Sequence, residues 1–409
     1  MKYVIIGNSA GAIGTIEGIR SVDKIGKITV ISDEKYHTYS RPLISYLIQG
    51  KTTLEKMKYR NDDFYKENNV NAVLGKKVVK IDAENKFVET DDGQKFDYDK
   101  LMIATGSKPF VPPIENLDKV KEKTTFMSLD DAKYLQSVIS KDKKVLIMGA
   151  GLIGLKCAEC LVGKVKEITV VDLADHILPS ILGKEEADVV EVTLTDKGIK
   201  FLLGVSVKSF DKNEAILSDG TKEQFDVLVV AVGVRPNVNL AKEIGAEVNR
   251  GIIIDEKCAT TVPDVYACGD CSETVDETTN ERKIIAILPN AYYQGETAGK
   301  NMAGLNATFN KSIAMNSIGF FGKHIISAGS YIGKEICVNN DDGIRKFYVK
   351  DGYLKGFKLI GKVDRAGIYT SIVREKIPLE KIDFESIKQE PALICFSKEA
   401  RENILTKEV

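Results

Sequence analysis

The chain has 409 residues, 43% of them apolar and 29% charged, enough for two or three domains that each bury a core. A formal net charge of -1 gives no surplus of lysine and arginine, which speaks against a nucleic-acid partner or an anionic membrane surface. No apolar run approaches the roughly 20 residues that cross a bilayer, and Met1 leads directly into a strand pattern, so no membrane association and a cytoplasmic location are expected.

In chain order, β-branched apolar runs alternate with helical patterns through about residue 310, as in parallel sheets with crossover helices. The clearest strands are 3–6, 28–31, 101–104, 145–148, 168–171 and 227–232. After the first comes Gly7-Asn8-Ser9-Ala10-Gly11-Ala12, then a helical pattern running to Arg20. Such a turn aims backbone N–H groups and a helix N-terminus at a pyrophosphate. Ser9 and Ala12 stand where two of its glycines are usual. The second strand ends at Ser32-Asp33-Glu34, where Asp33 or Glu34 can accept hydrogen bonds from a ribose. Pro109, Pro112 and Pro113 interrupt regular structure, so 109–118 reads as a linker, with a return crossing near Arg235-Pro236-Asn237.

The strand at 145–148 opens a complete signature, Gly149-Ala150-Gly151-Leu152-Ile153-Gly154. Gly149 permits the tight turn, Gly151 lets a pyrophosphate approach, and Gly154 lets helix pack on strand, with Ile153 in the first helical turn. The following strand ends at Asp172. Its carboxylate is expected to bind the adenosine ribose and repel a 2′-phosphate, selecting NADH over NADPH.

Past residue 311 the texture changes to short strands and tight turns. Asp351-Gly352 between two apolar runs predicts a two-residue hairpin, which needs positive φ at both positions. The stretch 359–369 predicts a strand-to-helix connection, and 398–401 with the remaining tail an exposed helix. The expected domains are 1–113 with 237–310, 114–236, and 311–409.

Two further strands end in Ala104-Thr105-Gly106 and in Ala267-Cys268-Gly269-Asp270. With the two glycine turns they make residues 1–310 resemble the FAD- and NAD-dependent reductases of the pyridine nucleotide–disulfide oxidoreductase superfamily, in particular NADH:rubredoxin reductases, ferredoxin reductases and the flavin portion of nitrite reductases. The resemblance implies an α/β fold of two Rossmann-like domains, the FAD domain discontinuous, plus a C-terminal α+β interface domain. FAD is implied at the Gly7 turn and NAD at the Gly149 turn. Asp270 would face the FAD ribityl and phosphate region, with Thr105 and Gly106 along the flavin. Arg41, in Tyr39-Ser40-Arg41-Pro42, would approach FAD, and the Val78 backbone would bind adenine. The helix start at Pro289-Asn290 would turn its positive end to the flavin pyrimidine, and Gly233 would pack on the nicotinamide half.

Disulfide reductases of that superfamily carry a cysteine pair after the second strand, and NADH peroxidases a single cysteine. Here the stretch reads Ser40-Arg41-Pro42-Leu43-Ile44-Ser45-Tyr46, and no cysteine precedes Cys157. The pairs Cys157/Cys160 and Cys268/Cys271 fall where nucleotide folds demand small buried residues, and no metal site is expected. Relatives without redox cysteines place a Lys and a Glu near flavin N5; this chain has Tyr46 and Lys156, for which a hydrogen bond at the flavin is expected. Met127 replaces a family arginine near the FAD adenine. Between residues 345 and 376 stand Arg345, Lys346, Lys350, Lys355, Lys358, Lys362, Arg365, Arg374 and Lys376 against Asp351, Asp364 and Glu375. That surplus reads as a solvated charged hairpin, as such runs commonly are, or as a surface suited to a small acidic iron–sulfur partner. The expected function is transfer of electrons from NADH through FAD to such a protein. An NADH oxidase, or a flavoprotein subunit or redox sensor, is the alternative, with homodimer or complex subunit left open.

Overall fold

The computed structural model describes residues 1–310, 312–340, 343–397 and 401. The first strand, Lys2–Ile6, has Tyr3, Val4, Ile5 and Ile6 at 5% exposure or less, because in a parallel sheet both faces are covered and the run stays apolar throughout. It pairs in parallel with Lys27–Ser32 on one side and Lys100–Ile103 on the other; Val70–Leu74 and Val265–Ala267 form the edges. A second parallel sheet repeats this plan, in the order Ile199–Leu203, Glu167–Asp172, Lys144–Met148, Val227–Val230, Lys123–Thr125. Each sheet carries a three-stranded antiparallel attachment at the corresponding place, Val78–Asp82 to Lys95–Asp97 and Val207–Asp211 to Lys222–Gln224.

The repeats differ in the origin of the fifth strand, which comes from residues 265–267 in one and 123–125 in the other. The first sheet is therefore discontinuous in sequence. Ser107–Pro109 and Val234–Pro236, on the outgoing and returning segments, pair as an antiparallel ribbon. Two strands stop short of the expected limits, at Ile103 and Val230. In both, the carbonyl of the next residue, Ala104 or Ala231, lies against the first glycine of the turn.

Helix Ala10–Val22 packs on Leu288–Met302 almost backbone to backbone. A Cβ added at Gly14 would lie 2.2 Å from the Tyr292 carbonyl oxygen, and one at Gly295 would lie 2.0 Å from that of Gly11. The glycines thereby bring the start of Leu288–Met302 beside the Gly7 turn.

A second compact unit comprises Leu178–Asp196, Asp276–Glu281 and the residues from Ile313 onward. Its antiparallel sheet runs Met315–Phe320, Lys323–Gly329, Tyr353–Gly361, Gly343–Lys350, Lys334–Asn340. The hairpin forms as expected, with φ of 54° at Asp351 and 76° at Gly352. One sheet face sets Phe347 and Phe357 against Tyr369 of helix Ala366–Arg374, all at 1% exposure or less. The chain passes from strand to helix after Gly361 as anticipated. The expected helix at 398–401 and beyond lies outside the described residues except for Arg401, which is helical and half-buried.

The basic stretch at 345–376 corrects an expectation. Arg345, Lys346 and Lys358 are only 6 to 8% exposed, so three of the nine cations do not contribute to a basic surface. Arg345 donates to the carbonyls of Lys388 and Gln389. Lys346 and Lys358 reach the carboxylate of Glu186, on helix Lys184–Thr195, at 3.2 and 3.7 Å. No helix among the described residues is long and apolar enough to cross a membrane.

Candidate functional site

The two glycine turns are built alike. Gly7 and Gly149 have φ of +115° and +109°, in the region open to glycine but strained for other residues. Each donates its N–H to the neighbouring strand, Gly7 to the Ile31 carbonyl and Gly149 to that of Val171, both at 2.8 Å. At the third position the copies part. A Cβ at Gly154 would lie 1.9 Å from the Gly149 carbonyl oxygen, whereas Ala12 is accommodated with its side chain fully buried. A Cβ at Gly151 would meet no atom within 4 Å. Packing does not require glycine there, and the missing side chain leaves the room a pyrophosphate needs at the start of helix Leu152–Leu161. Ile153 and Gly154 follow within that first turn.

Around the Gly7 turn the chain gathers a polar pocket lined by Asn8, Ser9, Ser32, Glu34, Tyr36, His37, Tyr39 and Arg41. Ser9 begins helix Ala10–Val22 without spending its side chain on a cap. Glu34 pairs with Arg41 and accepts from the Tyr39 hydroxyl at 2.7 Å. Asp33 is exposed, so Glu34 is the carboxylate that faces the pocket. Gly75 and Lys76 donate to the carbonyls of Glu34 and Ser32 at 3.2 and 2.8 Å, which draws the segment leading to Val78 alongside.

Thr105 and Gly106 are held by Asn237. Its side-chain amide and backbone N–H donate to their carbonyls, both at 2.9 Å, and the Thr105 hydroxyl donates to the Asn237 carbonyl at 2.8 Å. Asp270 is half-buried with the Ser107 hydroxyl 3.3 Å away. Desolvation pushes its carboxyl above the usual range, opposed by Ser107 and the Arg41 charge. Gly269 donates to the Gln294 side chain at 2.8 Å, tying the Asp270 turn to helix Leu288–Met302. Pro289 opens that helix. The Asn290 side chain is turned to protein, donating to the Ile285 carbonyl at 3.1 Å and accepting from Ser312 at 2.9 Å, so any ligand contact from this turn falls to the backbone.

These residues fit FAD. A half-buried carboxylate with one long hydrogen bond suits ribityl hydroxyls, and an arginine with two helix N-termini suits a pyrophosphate. His37, which lines the pocket, has its Nε2 buried without a protein hydrogen-bond partner among the described residues, a position that a ligand could satisfy. Sequence reasoning missed Asn8, Ser32, Tyr36, His37 and Tyr39 as pocket residues. Asn8 lies inside the glycine turn and Ser32 ends the second strand, so both were legible; the other three depend on how the loop after that strand folds back.

At the second turn, Asp172 Oδ2 accepts from the Ala150 N–H at 2.6 Å and Oδ1 from that of Ala174 at 2.8 Å. Each oxygen retains capacity for a ribose hydroxyl. Gly233 has φ of +115° with no atom within 4 Å of an added Cβ.

Lys156 and Tyr46 meet, and Glu159 joins them. The ammonium lies 5.4 Å from the Tyr46 ring centroid and 2.5 Å from Glu159 Oε2. The carboxylate, one turn along the same helix and 7% exposed, pairs with the ammonium beside the Tyr46 ring.

Five of the seven thiols are buried. Cys157, Cys160, Cys258, Cys268 and Cys271 are at 1% exposure or less. Cys160 donates to the Cys157 carbonyl at 3.0 Å and Cys271 to that of Cys268 at 3.2 Å. Burial pushes Cys157, Cys258, Cys268 and Cys271 up, away from the reactive thiolate. Native-state alkylation is expected to label Cys337 and Cys395 alone, the other five reacting only after denaturation; peptide mapping checks this, and labelling of Cys157 or Cys268 in the folded protein would overturn it.

Two sheets of one plan, each ending in a glycine turn, with a half-buried aspartate and a second helix start at the first, define an FAD- and NAD-dependent oxidoreductase. The model for pyridine nucleotide-disulphide oxidoreductases matches residues 1–295, and the chain belongs to that family. It is 31% identical over 392 residues, 92% of each chain, to the epsilon subunit of NADH-dependent phenylglyoxylate dehydrogenase from Aromatoleum evansii. To an NADH oxidase of Methanocaldococcus jannaschii it is 35% identical over 323 residues, 76% of this chain and 71% of the other. A chain of the covalent putidaredoxin reductase–putidaredoxin complex shares the fold, with TM-score 0.88 at 21% identity over 100% of this chain and 99% of that one.

Proposed function

We propose that the protein accepts electrons from NADH and delivers them to a small iron–sulfur protein without a redox-active cysteine. The observation that carries this reading is the thiol-free segment 40–46 together with CxxC pairs that are buried and bonded to backbone. FAD, when bound, supplies the two-electron to one-electron conversion that a nicotinamide cannot perform. The chain's own residues position and polarise. In this reading Asp172 selects the nicotinamide nucleotide, Gly151 and Gly233 give it room, and Arg41, Asp270 and the two helix starts hold FAD.

Lys156 brings a positive charge toward the flavin side, tempered by Glu159. Lys156→Met is expected to slow reduction by NADH less than about tenfold, since a paired and partly solvated charge acts weakly; an unchanged rate and flavin potential would remove Lys156 from this role. The six basic residues of 345–376 that remain at least partly exposed still favour an acidic partner, with weaker steering than nine would give.

The deciding experiment is anaerobic stopped-flow spectroscopy. NADH is mixed with the enzyme, and rubredoxin, ferredoxin or oxygen is then offered in turn. Fast reoxidation by an iron–sulfur protein and slow reoxidation by oxygen is expected. Turnover with oxygen alone would make it an NADH oxidase. A second reading, a flavoprotein subunit, is favoured by the similarity to a dehydrogenase subunit over 92% of both chains, and would show as fast reduction by NADH with no turnover on any free acceptor.

A further inference from the structure

The loop 33–41 walls the FAD pocket and is fastened at four points to 127–133, the segment that begins helix Leu129–Val138. The Tyr39 hydroxyl donates to Glu34 at 2.7 Å and accepts from the Leu129 N–H at 3.0 Å. The Tyr36 hydroxyl donates to Asp130 and accepts from Lys133 Nζ at 3.1 Å, with that ammonium 4.2 Å from the Tyr36 ring centroid. Arg41 donates to the Met127 carbonyl at 3.3 Å.

The helix start is otherwise self-contained. Ser128 and Asp131 form a reciprocal cap, and Asp131 Oδ2 also accepts from the Met127 N–H. The Leu129 N–H is left to Tyr39, so the phenol closes the helix cap and orients the Glu34 carboxylate at once. Burial and Glu34 push the Tyr39 phenol up, keeping it a donor. Helix Leu129–Val138 runs between Lys123–Thr125 and Lys144–Met148, two strands of the second sheet.

We propose that Tyr36 and Tyr39 are a latch that retains FAD, fastening the wall of its pocket to a helix of the nicotinamide-nucleotide sheet. Both tyrosines line the pocket, and the role assigned to them is that of positioning residues, acting through Glu34 and through the backbone of the loop. The latch sits where Met127 offers a carbonyl and no charged side chain, so the tyrosines and Lys133 provide the fastening there. The inference rests on the Gly7 turn being the FAD site.

The test is FAD affinity and release in the full chain, followed by flavin fluorescence. Tyr39→Phe removes the donor to a carboxylate and the acceptor of Leu129 N–H, and is expected to raise the FAD Kd roughly tenfold or more. Tyr36→Phe and Lys133→Met, at the partly exposed end, are expected to speed FAD release a few-fold while leaving the thermal midpoint of the FAD-free protein within error. Rescue is part of the design. Tyr36→His, which keeps a ring donor toward Asp130, should recover part of the loss relative to Tyr36→Phe. Unchanged Kd and release rate in Tyr39→Phe would overturn the latch, as would a loss traced wholly to a lower midpoint of the FAD-free protein. Wild-type protein that binds FAD in either case leaves the assignment of the Gly7 turn standing.

Discussion

Asp172→Ala is expected to lower the preference for NADH over NADPH by roughly a hundredfold, measured as the ratio of kcat/KM values with a small artificial acceptor. Asp172 stands at the end of Glu167–Asp172, with one acceptor site on each oxygen taken by Ala150 and Ala174 N–H groups. The remaining sites would take ribose hydroxyls, each such charge-assisted bond contributing about 1.5–3 kcal/mol. Alanine removes those acceptors and also the charge that repels a 2′-phosphate, so the two substrates move in opposite directions. The bond to Ala150 gives a second signature: its loss loosens the glycine turn, and binding of both nucleotides falls by a common factor. Asp172→Asn retains an acceptor for Ala150 and separates the two effects. An unaltered ratio in both variants would remove Asp172 from the ribose.

Glu186→Ala is expected to destabilise the C-terminal unit by about 3–5 kcal/mol, the usual consequence of stranding buried charge. The Glu186 side chain is 3% exposed, and Lys346 and Lys358, at 10 and 8%, both lean on it. Lys346 has Glu335 at 3.1 Å as a further partner. Lys358 has the Tyr331 ring at 4.3 Å and depends more on Glu186. The double variant Glu186→Ala/Lys358→Met should therefore cost less than the sum of its parts, read from urea unfolding by circular dichroism; strict additivity would contradict the pairing.

The pH dependence follows. Burial pushes the Glu186 carboxyl up, but its backbone hydrogen bond and the two lysines outweigh that and hold it below the usual value. Its contribution is present above about pH 4.5, the ordinary glutamate range, and is lost as pH falls through the lower folded value. Lys358 is lowered by burial, so its share of stability grows as pH rises toward the ordinary lysine range. Replacing Glu186 should flatten the acid limb of the stability profile.

How legible the molecule was varies by element. Lys2–Ile6 and Lys144–Met148 announced themselves because strands buried on both faces must be apolar without a break. The Gly149 turn was explicit since each glycine answers a local steric demand, and Asp351-Gly352 did the same for its hairpin. Arg345, Lys346 and Lys358 misled because charged residues are almost never buried without partners. The partner of the two lysines, Glu186, is some 160 residues away, and nothing local marks it as such. The surroundings of Lys156 were legible only in part: Glu159 is near in sequence, but the approach of the ammonium to Tyr46 depends on how two helices from different repeats face each other.

The sequence by itself determined the features set by short-range sterics and periodicity: the two strand–turn–helix units, the carboxylates at or just past the ends of their second strands, the hairpin, and the absence of a cysteine before Cys157. Only the tertiary structure decided which parts of the chain meet. It drew Val265–Ala267 into the first sheet and Lys123–Thr125 into the second, set Asp270 beside Ser107, joined Tyr39 to Leu129, and turned three cations inward. These are pairings between distant segments, fixed by packing and by the need of every buried polar group for a partner; no local stretch of sequence contains both sides of such a contact.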